Sequence, residues 1–215
     1  MPTLQALLIL GSALLAASAP ASNILTTGNA NDTDGLRPAS WPTFEQCEGD
    51  NRETIIAYAA RDAQVLGKAT RDYVKSLTGP TPRYTTWFGN YTPERHATVL
   101  KIFTAINTND YLAYNYYCDC DVPGLPEDVV AYVYSWQYGM IHICPEFFRR
   151  NTTGRNTQAG TILHEATHYV NNGGGTEDWV SGTNNSLQLA IDDPDKAVDC
   201  AANYKYFAEN TPFLD

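Results

Sequence analysis

The sequence predicts an α+β domain, mainly helical, with a small antiparallel sheet beside one central helix. Three observations carry that prediction. Apolar residues recur at three- and four-residue spacing in several runs, each bounded by capping or breaking residues. Three short stretches rich in aromatic and β-branched residues crowd together between Tyr114 and Cys144. One helical run, Thr157 to Val170, carries His-Glu-x-x-His on one side and an apolar stripe on the other. A chain of 215 residues is long enough for one such domain with an ample core.

Taken in order, residues 1–21 read as a secretory signal. Leu4 to Ala17 is almost wholly apolar and is followed by small residues at Ala17-Ser18-Ala19 and Ala19-Pro20-Ala21. The run is short for a membrane span. Residues 22–46, rich in Ser, Thr, Asn, Gly and Pro, read as a flexible leader, which leaves 47–215 as the folded domain. Asp50-Asn51-Arg52-Glu53 resembles a capping box, and Ile56, Ala59, Ala63, Leu66, Tyr73 and Leu77 then keep helical spacing up to Gly79-Pro80. Thr92-Pro93 opens a second helix with Val99, Leu100, Phe103 and Ile106 on one face. The strand-like stretches are Tyr114–Cys120, Val129–Trp136 and Met140–Cys144. Thr183 to Asp192 is weakly helical. Asp193 caps a last helix, with Pro194 in its first turn and Ala197, Cys200, Tyr204 and Phe207 facing inward.

The central run carries the chemistry. Residues four apart share a helix face, so His164 and His168 can aim at one metal ion. Glu165 is turned roughly 100° from His164, beside the ion rather than on it, where a carboxylate can take a proton from water. Ala159, Ile162, Ala166 and Tyr169 form the opposite, core-facing stripe. A catalytic zinc needs a third protein ligand and an open position. Six residues after His168 stands Gly174, so a third histidine there is excluded, and Glu209 is the only glutamate beyond Glu177. The better candidate is Asp178, because Gly173, Gly174 and Gly175 let the backbone reverse and return it to the metal face. The expected set is one Zn²⁺ per chain on His164, His168 and Asp178, with Glu165 as catalytic base. His96 and His142 are expected to be structural or surface residues.

Charge and cysteines narrow the partners. Fourteen basic against 24 acidic residues give a net charge of −10, which disfavours nucleic acid and anionic membrane. Five cysteines in an export context, Cys47, Cys118, Cys120, Cys144 and Cys200, point to disulfides rather than thiolate zinc ligation, and their spacing leaves the connectivity open. Sequons at Asn31, Asn90, Asn151 and Asn184 fit glycosylated loops of a secreted, extracellular protein. A monomer acting on protein or peptide substrates is expected.

His-Glu-x-x-His followed by Gly-Thr-x-Asp resembles the signature of the deuterolysin (aspzincin) family of zinc endopeptidases. The likeness is greatest to its lysine-specific fungal members. It also covers Pro82 to Gly89, Arg95 to Leu100, Cys118-Asp119-Cys120, Ala131 to Tyr134 and Asp193 to Val198. The resemblance implies a zincin-like metalloprotease domain and Cys47–Cys118 and Cys120–Cys144 bridges; Cys200 has no family counterpart and, on a helix face with apolar neighbours, is expected to be a buried free thiol. Family members carry a long inhibitory propeptide; the leader is short for one, so no folded prodomain is expected. Two departures stand out. Ser181 occupies the position of a family tyrosine implied to bond the oxyanion or substrate carbonyl. Ala202 and Lys205 occupy the positions of an aspartate and a glutamate that line the lysine pocket. Lys205 either faces that pocket or turns to solvent. The leading expectation is a zinc endopeptidase that is not lysine-selective and has reduced activity. The alternative is a catalytically impaired, secreted binding protein that keeps its zinc site.

Overall fold

The structure, a computed structural model, describes residues 41–120 and 122–215. The signal expected at 1–21, the leader up to residue 40 and Asn31 lie outside the described residues. Four strands, β1 (Thr43–Glu45), β2 (Asn115–Tyr117), β3 (Ala131–Tyr132) and β4 (Met140–Ile143), form one sheet in the order β1-β2-β4-β3. Seven helices accompany it: α1 (Arg52–Ser76), α2 (Pro82–Phe88), α3 (Pro93–Asn107), α4 (Gln158–Thr167), α5 (Thr183–Asp192), α6 (Pro194–Ala197) and α7 (Ala201–Glu209).

The expected α+β class holds, but the sheet is mixed rather than antiparallel. β1 and β4 both run parallel to β2, and only β3 is antiparallel to β4. The connections explain the difference. Parallel neighbours need long crossovers, and α1, α2 and α3 separate β1 from β2, while the stretch holding β3 separates β2 from β4. β1 also corrects the leader boundary, since Thr43–Glu45 pair with Asn115–Tyr117 although the composition placed them in a flexible segment. Phe44 gives that segment something to bury, stacking on Tyr116 with ring centroids 6.1 Å apart. Cys47–Cys118 then joins the chain just beyond β1 to the residue following β2, and Cys120–Cys144 joins the β2 exit to the residue after β4. Cys200 is buried and unbonded.

The helices begin where the threonines and prolines of the sequence place them. Thr81 and Thr92 accept the backbone N–H groups of Tyr84 and Arg95, each at 3.2 Å, with proline in the first turn of both helices. Seven-residue α2 is too short to show a period and was not among the expected helices. α1 departs from expectation at its entrance: Asn51 takes a left-handed conformation, φ 57°, and makes no side-chain cap, so no capping box forms. Packing holds α1 instead. Its face of small residues, including Ala59, Ala60, Ala63 and Gly67, beds α4, with Leu163 lying over Gly67.

The last predicted helix is two helices, α6 and α7. The break at Val198–Cys200 opens the backbone to Glu177, whose N–H donates to Asp199 O at 2.8 Å and whose carbonyl accepts from Ala201 N at 3.0 Å. Beyond the break, Tyr204 and Phe207 pack with Tyr84, Phe88 and Phe103 into an aromatic cluster joining α2, α3 and α7. Buried Arg83 donates to Phe207 O at 2.9 and 2.6 Å, and burial lowers its pKa to about 10. Among the described residues no helix is long and apolar enough to cross a membrane.

Candidate metal centre

The helix that carries the site, α4, is anchored at its start. Thr157 Oγ1 accepts from Gly160 N at 2.8 Å. The Glu209 carboxylate accepts from Asn156 N (2.9 Å), Thr157 N (2.7 Å) and Thr157 Oγ1 (2.9 Å). An anion therefore sits on the positive end of the helix. Glycine is needed at 160 because a Cβ there would collide with this fixed carboxylate. Glu209 is thus committed to the end of α4 remote from the histidines and is no metal ligand. The predicted stripe is in place: Ile162, Ala166 and Tyr169 are fully buried and Ala159 nearly so.

At the other end His168 closes the helix with φ −73° and ψ −20°, so it keeps helical register with His164. The glycine turn follows, and Gly175 is required there. It has φ +88°, and a Cβ would lie 2.8 Å from the His168 carbonyl oxygen. The turn is stitched back by Thr176 N donating to Thr167 O at 3.0 Å and by a 2.7 Å contact between the two threonine hydroxyls. Glu177 then docks between α6 and α7, and Asp178 returns to the histidines.

Three donor groups meet here. His164 Nε2 and His168 Nε2 are 3.3 Å apart, and Asp178 places Oδ1 3.2 Å from the first and Oδ2 3.4 Å from the second. Ligands 2.0–2.1 Å from a tetrahedral zinc stand about 3.3–3.4 Å from one another. The two histidine nitrogens match that spacing, and the carboxylate reaches each of them with one of its oxygens. His168 Nδ1 lies 2.7 Å from Thr176 O, an acceptor only, so Nδ1 carries the proton and Nε2 presents its lone pair. Two nitrogens and a carboxylate, oriented in this way, suit zinc.

Charge is concentrated here. Burial raises the Glu165 pKa, and the two histidines only partly oppose it. Burial disfavours charge on His168, but Asp178, Glu165 and Thr176 outweigh it and raise its pKa to about 9. Asp178 is held far below the usual carboxylate range, since both histidines outweigh its partial burial.

Two cavities meet at this cluster. The larger, about 720 Å³, is lined by Glu165, His164 and Asp178 together with Ser181, Ala202 and Lys205. The smaller, about 400 Å³, is lined by His168 with Tyr132, Tyr134 and Trp136. β3 contributes Ala131 to both. Of the two orientations expected for Lys205, the structure has the inward one, with Nζ 3.2 Å from Asn156 Oδ1. Ser181 is exposed. His142 and His96 lie apart from the cluster: His142 Nδ1 contacts Asp119 Oδ1 at 2.6 Å while its ring stacks on Tyr132, and His96 Nε2 meets Val74 O at 2.9 Å. The sequon residues Asn90, Asn151 and Asn184 are exposed. Sequence reasoning missed Thr157 as the cap of α4 and Arg150 as a cavity residue. A threonine before Gln-Ala-Gly signalled the first; nothing local signalled the second.

A family model described as lysine-specific metallo-endopeptidase matches residues 73–209. The chain belongs to that family. Within it, the chain is 41% identical over 170 residues to a peptidyl-Lys metalloendopeptidase of Grifola frondosa, covering 79% of this chain and 47% of the relative. A protein of the same name from Armillaria mellea is 40% identical, covering 75% of this chain and 45% of the relative. The chain therefore spans just under half the length of these two curated relatives. A third, from Pleurotus ostreatus, is 36% identical and is covered over 99% of its length, as is 80% of this chain. A solved zinc peptidase from Grifola frondosa superposes with a TM-score of 0.73 at 40% identity, covering 78% of this chain and all of that one. Zinc-peptidase family membership and the zincin-like α+β fold follow.

Proposed function

We propose that the protein is a secreted zinc endopeptidase in which His164, His168 and Asp178 hold one Zn²⁺ and Glu165 is the catalytic base. The single observation that carries this reading is the donor spacing of 3.2–3.4 Å, with a buried carboxylate alongside. Zinc held there supplies Lewis acidity, lowering the pKa of water and polarising a substrate carbonyl. Thr176 O keeps His168 in the tautomer that binds metal. Glu165 accepts the proton of the attacking water and passes it to the leaving amine, and its raised pKa suits it to both transfers. β3, the edge strand between the two cavities, offers backbone groups to an extended peptide.

Two further parts of the reading rest on the cavity. With Lys205 facing in and Ala202 uncharged, a substrate lysine would enter beside a like charge, so lysine is not preferred. With serine at 181, a short exposed side chain replaces the family's oxyanion donor, and losing one such donor typically lowers turnover by about 10²–10³. The same two residues favour a secreted binding protein with a retained zinc site as the second reading. Glu165 separates the two, because a structural site has no use for a buried base. Exposed Asn90, Asn151 and Asn184 support export with glycosylation. The test is to incubate zinc-loaded protein with a denatured protein mixture and sequence the new termini beside a Glu165→Gln control. Cleavage is expected from the parent only; equal cleavage profiles would leave the binding-protein reading.

A further inference from the structure

One wall of the larger cavity carries two cations, Lys205 and Arg150, and the same lining holds the acids Asp128, Glu165 and Asp178. Lys205 reaches it from α7, and its ammonium has one hydrogen-bond acceptor among the described residues, Asn156 Oδ1. Arg150 lines the same cavity; among the described residues its Nε is buried without a partner, and the ion pair it makes is a long one, Nη2 to Glu146 Oε1 at 3.6 Å. The start of α5, immediately after cavity-lining Gly182, has no side-chain cap and so presents the positive end of a ten-residue helix.

Three of the four acids nearby are otherwise engaged. Asp178 sits between the histidines, Glu209 on the start of α4, and Glu165 beside the metal position, while Asp128 is exposed. Burial and the neighbouring Arg150 lower the Lys205 pKa, and Glu209 and Glu165 only partly oppose them. Two partly buried cations side by side are stabilised by an incoming anion. An arginine fork with an adjacent ammonium suits the planar oxygens of a carboxylate.

We propose that this cavity receives a carboxylate of the substrate, so that peptides with an acidic residue beside the scissile bond are the preferred class. The inference rests on the endopeptidase reading for its meaning, but it is measured by binding. Zinc-loaded Glu165→Gln protein is titrated calorimetrically with blocked peptides that differ only in a central Glu, Gln or Lys, and with an alanine peptide whose only carboxylate is its free terminus. The Glu peptide should bind about 10-fold or more tightly than its Gln isostere, as a charge-assisted bond allows, and the Lys peptide should bind most weakly. A tight alanine peptide would assign the carboxylate to a chain end instead of a side chain. Lys205→Met, which keeps the stem of the side chain, and Arg150→Gln should each bring the Glu-to-Gln ratio towards one while leaving the Gln peptide within about twofold. Absence of cleavage by the parent protein would count against hydrolysis alone, because these ratios are taken without turnover. The proposal is overturned if the Lys peptide binds as tightly as the Glu peptide, or if Lys205→Met leaves the Glu-to-Gln ratio unchanged.

Discussion

His168 shows how much of the proposed metal site is set by groups outside its three donors. Thr176 O orients its ring, and without a cation Asp178 helps hold its proton to a pKa of about 9. Since that pKa is raised above 6.5, the proton competes with zinc at all lower pH values. Zinc affinity should therefore climb as pH rises towards about 9, and binding at pH 7 should release protons. Calorimetry in buffers of differing ionisation enthalpy reads this directly; heats independent of buffer would contradict it. Asp178→Ala should lose metal, whereas Glu165→Gln should retain it, and metal analysis of the two purified variants separates ligand from base. At the cavity, Ser181→Tyr should raise turnover about 10²-fold or more if the hydroxyl reaches the substrate carbonyl. A folded, zinc-loaded Ser181→Tyr no faster than the parent would remove residue 181 from the reaction.

α4 is only as well placed as its two ends. Its start depends on Glu209, so Glu209→Ala should destabilise the fold by about 1.5–3 kcal/mol, the range for hydrogen bonds to a charged group. Thermal melts of the metal-free protein would show it, and an unchanged melting temperature would mean that solvent replaces the carboxylate. At this scale the sequence was a good guide wherever the cause was local. His164, Glu165 and His168 share a helix because of their spacing, and the stripe through Ile162 and Ala166 is buried as its period requires. What escaped were arrangements made by distant partners. The parallel strands depend on the length of their connections, β1 on an aromatic partner 72 residues away, and the split between α6 and α7 on Glu177. The capping box failed for a local reason: Asp50 and Asn51 both enter the left-handed region, φ 50° and 57°, and Asn51 makes no side-chain cap.

For the whole molecule, the two disulfides sit at the mouth of the sheet rather than at the metal. Cys47–Cys118 spans 71 residues and so closes most of the helical half of the fold into one loop. Restricting the unfolded chain over that length is worth about 4 kcal/mol, so the double serine variant should unfold at markedly lower denaturant while keeping its donor cluster. Denaturation followed by fluorescence tests this, and a midpoint equal to that of the parent would show that the bridge contributes nothing. The net charge of −10 surrounds a cavity that carries Arg150 and Lys205 on one side. Salt should therefore weaken binding inside the cavity while relieving repulsion of acidic substrates on approach.

The docking of Glu177 between α6 and α7 has a consequence for anyone who would redesign this protein. Asp178 follows that residue directly, and Ala201, which receives its carbonyl, is followed by Ala202 of the cavity wall. Selectivity and metal retention thus share one hinge of main chain, only a few atoms long. Converting the cavity to accept lysine, by Ala202→Asp together with Lys205→Glu, places new charge one residue from the peptide group that positions the proposed third ligand. Such a variant should pass through intermediates that change substrate choice and zinc affinity at once, and its two substitutions should not behave additively. Evolution along this lineage would have met the same constraint: a new diet is reached only by steps that also leave the metal in place.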